Sequence, residues 1–389
     1  MLKTVLLSYV LISGGALAQK KPATPPPLPL QTHEVNADHT ITFRYGARAA
    51  KSVELGLDAF LKPLPMTRDA KGVWSVTTPS LPPEYYNYRF IEDGVDKLDP
   101  LNNHVIKNYV SLGNWVLVPG DPPRAWELTS APHGRVDSYH YTTQVAKNVP
   151  ENQEGYVVYT PPGYDAKKPG GYPVLYLLHG WSDSERGWTE QGQANLILDR
   201  LLAEGKIVPM VVVMPQGYGD FKFVEEGFGV WREPAKIAEN LDLFSKMLLT
   251  EVLPAVEGEY DVAPGRENRA ITGLSMGGLE SLTIGMNHPE TFAYVGGMSS
   301  AIFGAKTKED DEAAFAGYIP DAQAKSADLK LLWVACGKTD GLIRANRDFV
   351  EWTRGKGFET TAVETEGAHT WLTWRVNLEQ LAPLLFRSR

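Results

Sequence analysis

Hydrophobic and polar residues alternate in the first third of the chain. Between residues 37 and 120, short runs with every second residue apolar are separated by Gly, Pro and Asp. The apolar positions of these runs are Ile41, Phe43, Tyr45, Val53, Leu55, Leu57, Trp74, Val76, Tyr86, Tyr88 and Phe90. A period of two is typical of β-strands with one buried face. The pattern therefore predicts a small antiparallel β-sandwich over residues 37–120.

From about Tyr139 the pattern changes. Wholly apolar runs now alternate with stretches in which apolar residues recur every three or four positions. The apolar runs are 156–159, 174–178, 210–214, 270–272 and 331–335, and the helical faces carry Ala194, Ile197, Leu198 and Leu201, then Leu241, Phe244, Leu248, Val252 and Val256. Apolar strands between amphipathic helices predict a mostly parallel sheet with helices on both faces, an α/β domain over residues 137–389.

The N-terminal residues have the pattern of an export signal. Lys3 is followed by an apolar stretch at 5–12 and by Ala-Leu-Ala at 16–18, which predicts a signal peptide over 1–18 cleaved after Ala18. The apolar stretch is shorter than the ~20 residues that span a membrane. Residues 19–36 are rich in proline and are expected to form an extended linker. We therefore expect a secreted or periplasmic protein without a membrane span.

Charge and cysteine content exclude some classes of function and structure. The 389 residues include 38 Lys and Arg against 47 Asp and Glu, a net charge of −9, with no basic cluster. Nucleic acid is thus not an expected partner, because phosphate contacts need clustered cations. The single cysteine, Cys336, excludes disulfides within the chain, and its apolar surroundings predict a buried strand.

The strongest chemical signal is Gly-Leu-Ser-Met-Gly-Gly at residues 273–278, between a strand-like and a helical segment. Gly-x-Ser-x-Gly in this context predicts a nucleophile elbow, a sharp turn that exposes the Ser275 hydroxyl at a helix N-terminus. A serine hydroxyl is a weak nucleophile unless a base removes its proton. The sequence must therefore also supply a histidine and an orienting carboxylate.

Two histidines follow the serine. His288 is expected at the far end of the helix after Ser275, pointing away, whereas His369 lies in a glycine-containing loop after a strand-like run. The chain order Ser, Asp, His then requires a carboxylate at the end of the intervening strand. Asp340 fits that position better than Asp328 or Asp348. We predict Ser275, His369 and Asp340 as the catalytic residues.

An oxyanion hole needs two backbone N–H groups near the serine. One should come from Met276, the residue after the nucleophile, and the other from Trp181, in the loop after an early strand. His179 is then expected to shape that loop. No paired cysteines, His-Glu-x-x-His or complete phosphate-binding loop occurs, so neither a metal nor a cofactor is expected.

The α/β part resembles carbohydrate esterase family 1, the feruloyl and acetylxylan esterases, which are related to enterochelin esterases. The matching segments are Tyr-Leu-Leu-His-Gly at 176–180, Val-Val-Val-Met-Pro at 211–215, Glu-Val-Leu-Pro at 251–254, residues 267–278, Cys-Gly-Lys-Thr-Asp at 336–340 and Gly-Ala-His-Thr-Trp at 367–371. The resemblance implies an α/β-hydrolase fold and hydrolysis of carboxylic esters through an acyl-enzyme.

The N-terminal part is similar to the E-set, immunoglobulin-like sandwich related to family 48 carbohydrate-binding modules. Residues 69–74 and 86–90 carry this looser likeness, which implies an accessory domain beside the ester site. Trp74, Tyr85, Tyr86 and Tyr88 are candidates for a sugar platform, but we interpret them as residues that pack the core and the interface.

Four aromatic residues near the motifs are candidates for substrate binding: Trp188, Phe228, Trp231 and Trp371. Aromatic faces suit both a hydroxycinnamoyl ring and a sugar. Export and the family resemblance favour a small-molecule or polysaccharide ester, feruloyl-arabinoxylan first and acetylated xylan second. The alternatives are hydrolysis of an enterochelin-type siderophore, acyl transfer to a sugar as in related mycolyltransferases, and an inactive carbohydrate-binding protein.

Overall fold

The computed structural model describes residues 30–304, 307–325 and 328–387. The expected signal peptide and most of the expected linker lie outside the described residues. The end of the linker at residue 36 is wrong, because His33–Val35 form strand β1, which pairs with β2, Ile41–Gly46. A three-residue strand is too short to show a period, and backbone pairing with a neighbour is what forms it.

The N-terminal strands form two antiparallel sheets. After β1 and β2 they are β3 Val53–Leu57, β4 Leu64–Pro65, β5 Thr67–Arg68, β6 Val73–Thr77, β7 Glu84–Glu92, β8 Val95–Lys97, β9 Val105–Lys107 and β10 Leu112–Val118. One sheet has the order β1-β2-β6-β5, and the other has the order β4-β3-β7-β10-β9 with β8 beside β7. Residues of both sheets share one core, in which Trp74, Tyr86 and Tyr88 are buried. These aromatics therefore pack the sandwich, as expected, and offer no sugar platform.

The remaining strands form one eight-stranded sheet in the order β11-β12-β14-β13-β15-β16-β17-β18. They are β11 Arg135–Thr142, β12 Gln153–Thr160, β13 Val174–Leu178, β14 Val211–Pro215, β15 Arg269–Gly273, β16 Tyr294–Met298, β17 Leu331–Gly337 and β18 Thr360–Thr365. The pairs from β14 to β18 are parallel, whereas β11 and β12 run antiparallel to their neighbours. Each apolar run predicted as a buried strand coincides with a strand of this sheet, except that Met210 lies just before β14.

Over the described ranges, ten α-helices connect or follow these strands and cover the sheet. They are α1 Gly187–Glu190, α2 Ala194–Ala203, α3 Lys222–Glu225, α4 Pro234–Met247, α5 Leu253–Glu259, α6 Met276–Asn287, α7 Lys308–Tyr318, α8 Ala322–Lys325, α9 Ile343–Gly355 and α10 Trp371–Leu381. A π-helical segment, Leu248–Val252, joins α4 to α5. Two separate apolar clusters involve this sheet and its helices, one including α4 and α6 and the other α2 and α10. In the described ranges, no helix is both long and apolar enough to span a bilayer.

The parallel sheet brings distant loops to one edge. Strands β13, β15, β17 and β18 end at Leu178, Gly273, Gly337 and Thr365, just before the loops that carry the candidate residues. The carboxyl ends of parallel strands share one edge, which is where open α/β sheets bind ligands. Parallel pairing thus assembles the site from segments far apart in the chain.

Candidate active site

Ser275 lies in a tight turn between β15 and α6. Its φ of 53° and ψ of −111° are strained for a residue with a side chain. The turn is so close-packed that a Cβ at Gly273 would lie 2.4 Å from the Gly277 oxygen, and a Cβ at Gly277 would lie 2.4 Å from the His179 oxygen. Only glycine fits at both positions, which is the physical reason for the Gly-x-Ser-x-Gly pattern.

Three polar side chains meet in series at this turn. His369 Nε2 lies 3.0 Å from Ser275 Oγ, although 94 residues separate them. His369 Nδ1 lies 2.9 Å from Asp340 Oδ2. With the imidazole proton on Nδ1, the ring donates to the carboxylate and accepts from the serine hydroxyl. This geometry allows the imidazole to take the serine proton while the carboxylate stabilises the resulting cation.

Asp340 is enclosed and hydrogen-bonded as an ionised carboxylate would be. Its side chain is buried, and its Oδ1 accepts from the Leu342 N–H at 2.8 Å. Burial raises the pKa of Asp340, but the hydrogen bond and charge of His369, with that N–H, outweigh burial and hold the pKa below its usual value. The carboxylate is therefore ionised at neutral pH and can orient the imidazole.

Trp374 supports the histidine from the side. Its ring lies 4.9 Å from the His369 ring in a T-shaped arrangement, and its indole N–H donates to the Ser299 hydroxyl at 3.1 Å. Trp374 is not among the predicted site residues. Its spacing of three from Trp371 on a helix that starts just after His369 is the signal that could have indicated it.

The loop after β13 approaches the serine closely. A Cβ at Gly180 would lie 3.3 Å from Ser275 Cβ. In the described part of the chain, the backbone N–H groups of Trp181 and Met276 have no hydrogen-bond acceptor. Two free donors beside a nucleophile are what an oxyanion hole requires.

His179 holds this loop in place. The side chain is buried, its Nδ1 lies 2.8 Å from the Gly180 oxygen, and its Nε2 accepts from the Gly217 N–H at 2.8 Å. Burial lowers the pKa of His179, which favours the neutral ring that this bonding pattern needs. His179 is therefore a structural anchor of the loop.

A cavity of about 610 Å³ opens over Ser275 and His369. The α/β unit forms one wall, which includes Trp181 and Trp371, and the sandwich forms the other. The sandwich wall includes Leu57, Asp58, Leu61, Asn87, Arg89 and Leu112. None of these six residues is among the predicted site residues, because only the packing of the two units brings them to the site.

The four aromatic candidates have different surroundings. Trp371 lines the cavity, whereas Trp188 is wholly enclosed and donates from its indole N–H to the Leu178 oxygen at 2.9 Å. The expectation that Trp188 binds substrate is wrong, because an enclosed side chain has no surface to offer. Phe228 is exposed and packs against Trp181, and Trp231 packs against Phe223; neither lines the cavity.

Comparison with known proteins identifies the family. The Esterase family model matches residues 148–385. The chain is 32% identical over 366 residues to an endo-1,4-beta-xylanase/feruloyl esterase of Xylanibacter ruminicola, covering 91% of this chain and 46% of the relative. The chain thus spans about half the length of that relative.

Solved structures agree in fold. A ferulic acid esterase matches with a TM-score of 0.53 and 27% identity, covering 65% of this chain and 97% of that one. The enterobactin esterase of Shigella flexneri has a TM-score of 0.67 at 18% identity and covers 89% of this chain and 93% of its own, a likeness of fold alone. These matches confirm the resemblance to carbohydrate esterase family 1 and the α/β-hydrolase-like fold. The chain belongs to the Esterase family.

Proposed function

We propose that the chain is a secreted serine esterase that releases hydroxycinnamic acids from plant polysaccharides, with feruloylated arabinoxylan as the preferred substrate. The hydrogen-bonded series from Ser275 through His369 to Asp340, at the base of a two-walled cavity, carries the proposal. The names of the relatives with 32% and 27% identity support the choice of acyl group.

The proposed reaction has two steps. His369 accepts the Ser275 proton as the hydroxyl attacks the ester carbonyl, and the Met276 and Trp181 N–H groups stabilise the oxyanion. The protonated His369 then gives its proton to the leaving sugar hydroxyl. Water, activated by the same imidazole, hydrolyses the acyl-enzyme and releases the acid. Asp340 keeps the imidazole oriented throughout.

The two cavity walls suit the two parts of such a substrate. Trp181 and Trp371 of the α/β unit offer apolar surface to a planar ring. Asn87, Arg89 and Asp96 of the sandwich offer hydrogen bonds to sugar hydroxyls. A cavity of this volume lies in the range of small-molecule sites. We therefore propose that the acyl ring lies on the α/β side and the sugar on the sandwich side.

The remaining parts of the chain have proposed roles in export and attachment. Residues 1–18 act as a signal peptide, so the exported protein starts at Gln19, which N-terminal sequencing of the exported protein tests. Residues 37–120 form an E-set accessory domain like a family 48 carbohydrate-binding module. Binding of the Ser275→Ala protein to insoluble arabinoxylan tests whether that domain holds the polysaccharide.

The decisive experiment measures acid release from methyl ferulate and feruloylated arabinoxylan. Wild type should release ferulate, and Ser275→Ala should release none. Asp340→Asn should lose about 10⁴-fold in kcat, because the imidazole takes the wrong tautomer. Ser245→Ala, on α4 and away from the cavity, is the matched control and should behave as wild type.

The alternatives give different results in the same assay. Acetate release from acetylated xylan without ferulate release would favour an acetylxylan esterase, and cleavage of a catecholate siderophore alone would favour the siderophore activity. An added sugar that becomes acylated would indicate transfer. Equal xylan binding by wild type and Ser275→Ala, with no acid released by either, would indicate a binding protein.

A further inference from the structure

The tip of the β9–β10 hairpin reaches from the sandwich into the α/β unit. Val105–Lys107 and Leu112–Val118 are antiparallel, and the four residues between them form a tight loop. The Asn108 side chain stabilises this loop by accepting from the backbone N–H groups of Val110 and Ser111 at 3.0 and 2.7 Å. The loop presents Tyr109 to the α/β unit in a defined position.

Tyr109 contacts the loop that carries the proposed oxyanion donor. Its backbone N–H donates to the Ser182 oxygen at 2.7 Å, one residue beyond Trp181. Its hydroxyl accepts from Gln216 Nε2 at 2.6 Å. Gln216 Oε1 lies 3.2 Å from His179 Nε2, a packing contact and not a hydrogen bond, because that nitrogen accepts from the Gly217 N–H and carries no proton. Tyr109 therefore meets this loop directly at one end and, through one amide, contacts the histidine that anchors its other end.

Part of the Tyr109 ring is also packed, although 46% of the residue is exposed. It meets Phe221 and Tyr218 edge-on at 5.1 and 5.9 Å, and the Tyr218 hydroxyl donates to the Asp183 oxygen at 3.1 Å. Burial, with the nearby charge of Glu185, raises the pKa of Tyr109 to about 12, so the hydroxyl stays protonated. The hairpin tip thus restrains both ends of the short segment from His179 to Asp183.

We infer that Tyr109 is a positioning residue that holds the Trp181 N–H in place for the oxyanion. The inference rests on the proposed function, and it gives the sandwich a part in transition-state stabilisation as well as in lining the cavity. An oxyanion donor acts on charge that develops only in the transition state. Misplacing it should therefore lower kcat and leave KM for a small substrate largely unchanged.

The test compares Tyr109→Phe and Tyr109→Ala with wild type on p-nitrophenyl acetate, a small ester that does not reach the sugar side. We expect kcat to fall about tenfold in Tyr109→Ala, which loses the ring and the hydroxyl, and less in Tyr109→Phe, which loses only the hydroxyl. Both variants keep the backbone N–H, and KM should stay within about twofold of wild type. The matched control is Val110→Ala, the exposed neighbour on the same loop, which should keep wild-type kcat.

A second readout separates positioning from general loosening of the structure. Phosphonylation of Ser275 by a p-nitrophenyl phosphonate also develops an oxyanion, so its rate should fall in parallel with kcat while the melting temperature stays close to wild type. An unchanged kcat in both variants would overturn the inference, as would a raised KM at constant kcat, which would indicate substrate binding instead. If wild type cleaves p-nitrophenyl acetate but releases no ferulate, the proposed substrate is wrong and the comparison of the Tyr109 variants still holds. If wild type cleaves neither p-nitrophenyl acetate nor feruloyl esters, both the proposed function and the role of Tyr109 are wrong.

Discussion

Arg375 of α10 and Glu84 of β7 form an ion pair across the boundary between the two units, with Nη1 and Oε1 2.6 Å apart and 291 residues between them. Both side chains are almost fully enclosed. The same guanidinium donates twice to the Gln191 oxygen, at 3.0 and 2.7 Å, and lies over the Tyr85 ring. Because α10 starts two residues after His369, this cluster ties the sandwich to the helix that directly follows the candidate base.

Removing the carboxylate of this pair should destabilise the protein strongly. Glu84→Ala leaves the Arg375 charge buried without its partner, so we expect the free energy of unfolding to fall by about 3–5 kcal/mol. The matched control is Glu34→Ala, which breaks the more exposed pair with Arg44 and should cost about 1 kcal/mol or less. Urea unfolding followed by tryptophan fluorescence measures both. Equal losses in the two variants would contradict a clamping role for Glu84.

Asp58, on the sandwich wall of the cavity, should make stability depend on pH. Its Oδ1 is buried without a hydrogen-bond partner, and burial raises its pKa to about 7, against the opposing effects of the Asn87 N–H and Arg375. Because the unfolded chain releases this proton at lower pH than the folded protein, Asp58 lowers stability as pH rises from about 4 to about 7.

Asp58→Asn removes that titration and keeps an oxygen acceptor. Its melting temperature relative to wild type should therefore rise across the same pH range and level off above it. Asp96→Asn, which changes an exposed carboxylate on the same wall, is the control and should leave the slope unchanged. Melting curves at a series of pH values measure the effect, and a slope that is the same in wild type and Asp58→Asn would rule it out.

A methyl group at Gly277 should disrupt the candidate site. The new Cβ would lie 2.4 Å from the His179 oxygen and 2.7 Å from the Leu178 backbone oxygen, so the loop after β13 must move. A displacement of about 1 Å can cost about 10²-fold in rate, so we expect at least that loss of kcat in Gly277→Ala.

Gly258→Ala is the matched control, since a Cβ there meets nothing within 4 Å. It lies in α5, where alanine favours the helix by about 0.8–1.0 kcal/mol over glycine. Activity should be unchanged and stability slightly higher. Steady-state kinetics and thermal melts of the two variants check this pair, and a fully active Gly277→Ala would refute the packing argument.

The Cys336 thiol should not react with thiol reagents in the folded protein. It is buried in β17, and burial, with the charge of Asp340, raises the pKa of its thiol to about 12. The thiolate is the reactive form, so a disulfide reagent at about pH 8 should not label native protein. One thiol should react in guanidinium, and iodoacetamide should leave esterase activity intact. Rapid labelling of the native state would indicate that β17 opens.

The sequence by itself determined the candidate catalytic residues and the α/β-hydrolase-like fold. The strand, turn and helix around Ser275 are local features of the sequence. The order of residues along the chain and the ends of the predicted strands were enough to select Asp340 and His369. The structure brings these two side chains within hydrogen-bond distance of one another. The buried strands of the parallel sheet were recognisable because both of their faces are apolar. Strands β1 and β11 were not, since neither has a buried residue and backbone pairing alone places them.

Only the tertiary structure decided how the two units meet. Three features depend on contacts between the units: the sandwich wall of the cavity, the Arg375–Glu84 pair and the contacts of Tyr109. Such contacts leave no trace in the hydrophobic pattern of either contacting segment. The burial of Trp188 has the same origin, because hydropathy and spacing do not distinguish an aromatic side chain that faces a cavity from one enclosed behind it. Local sequence patterns show which face of a helix or strand is apolar. Long-range packing decides which of these faces contact one another.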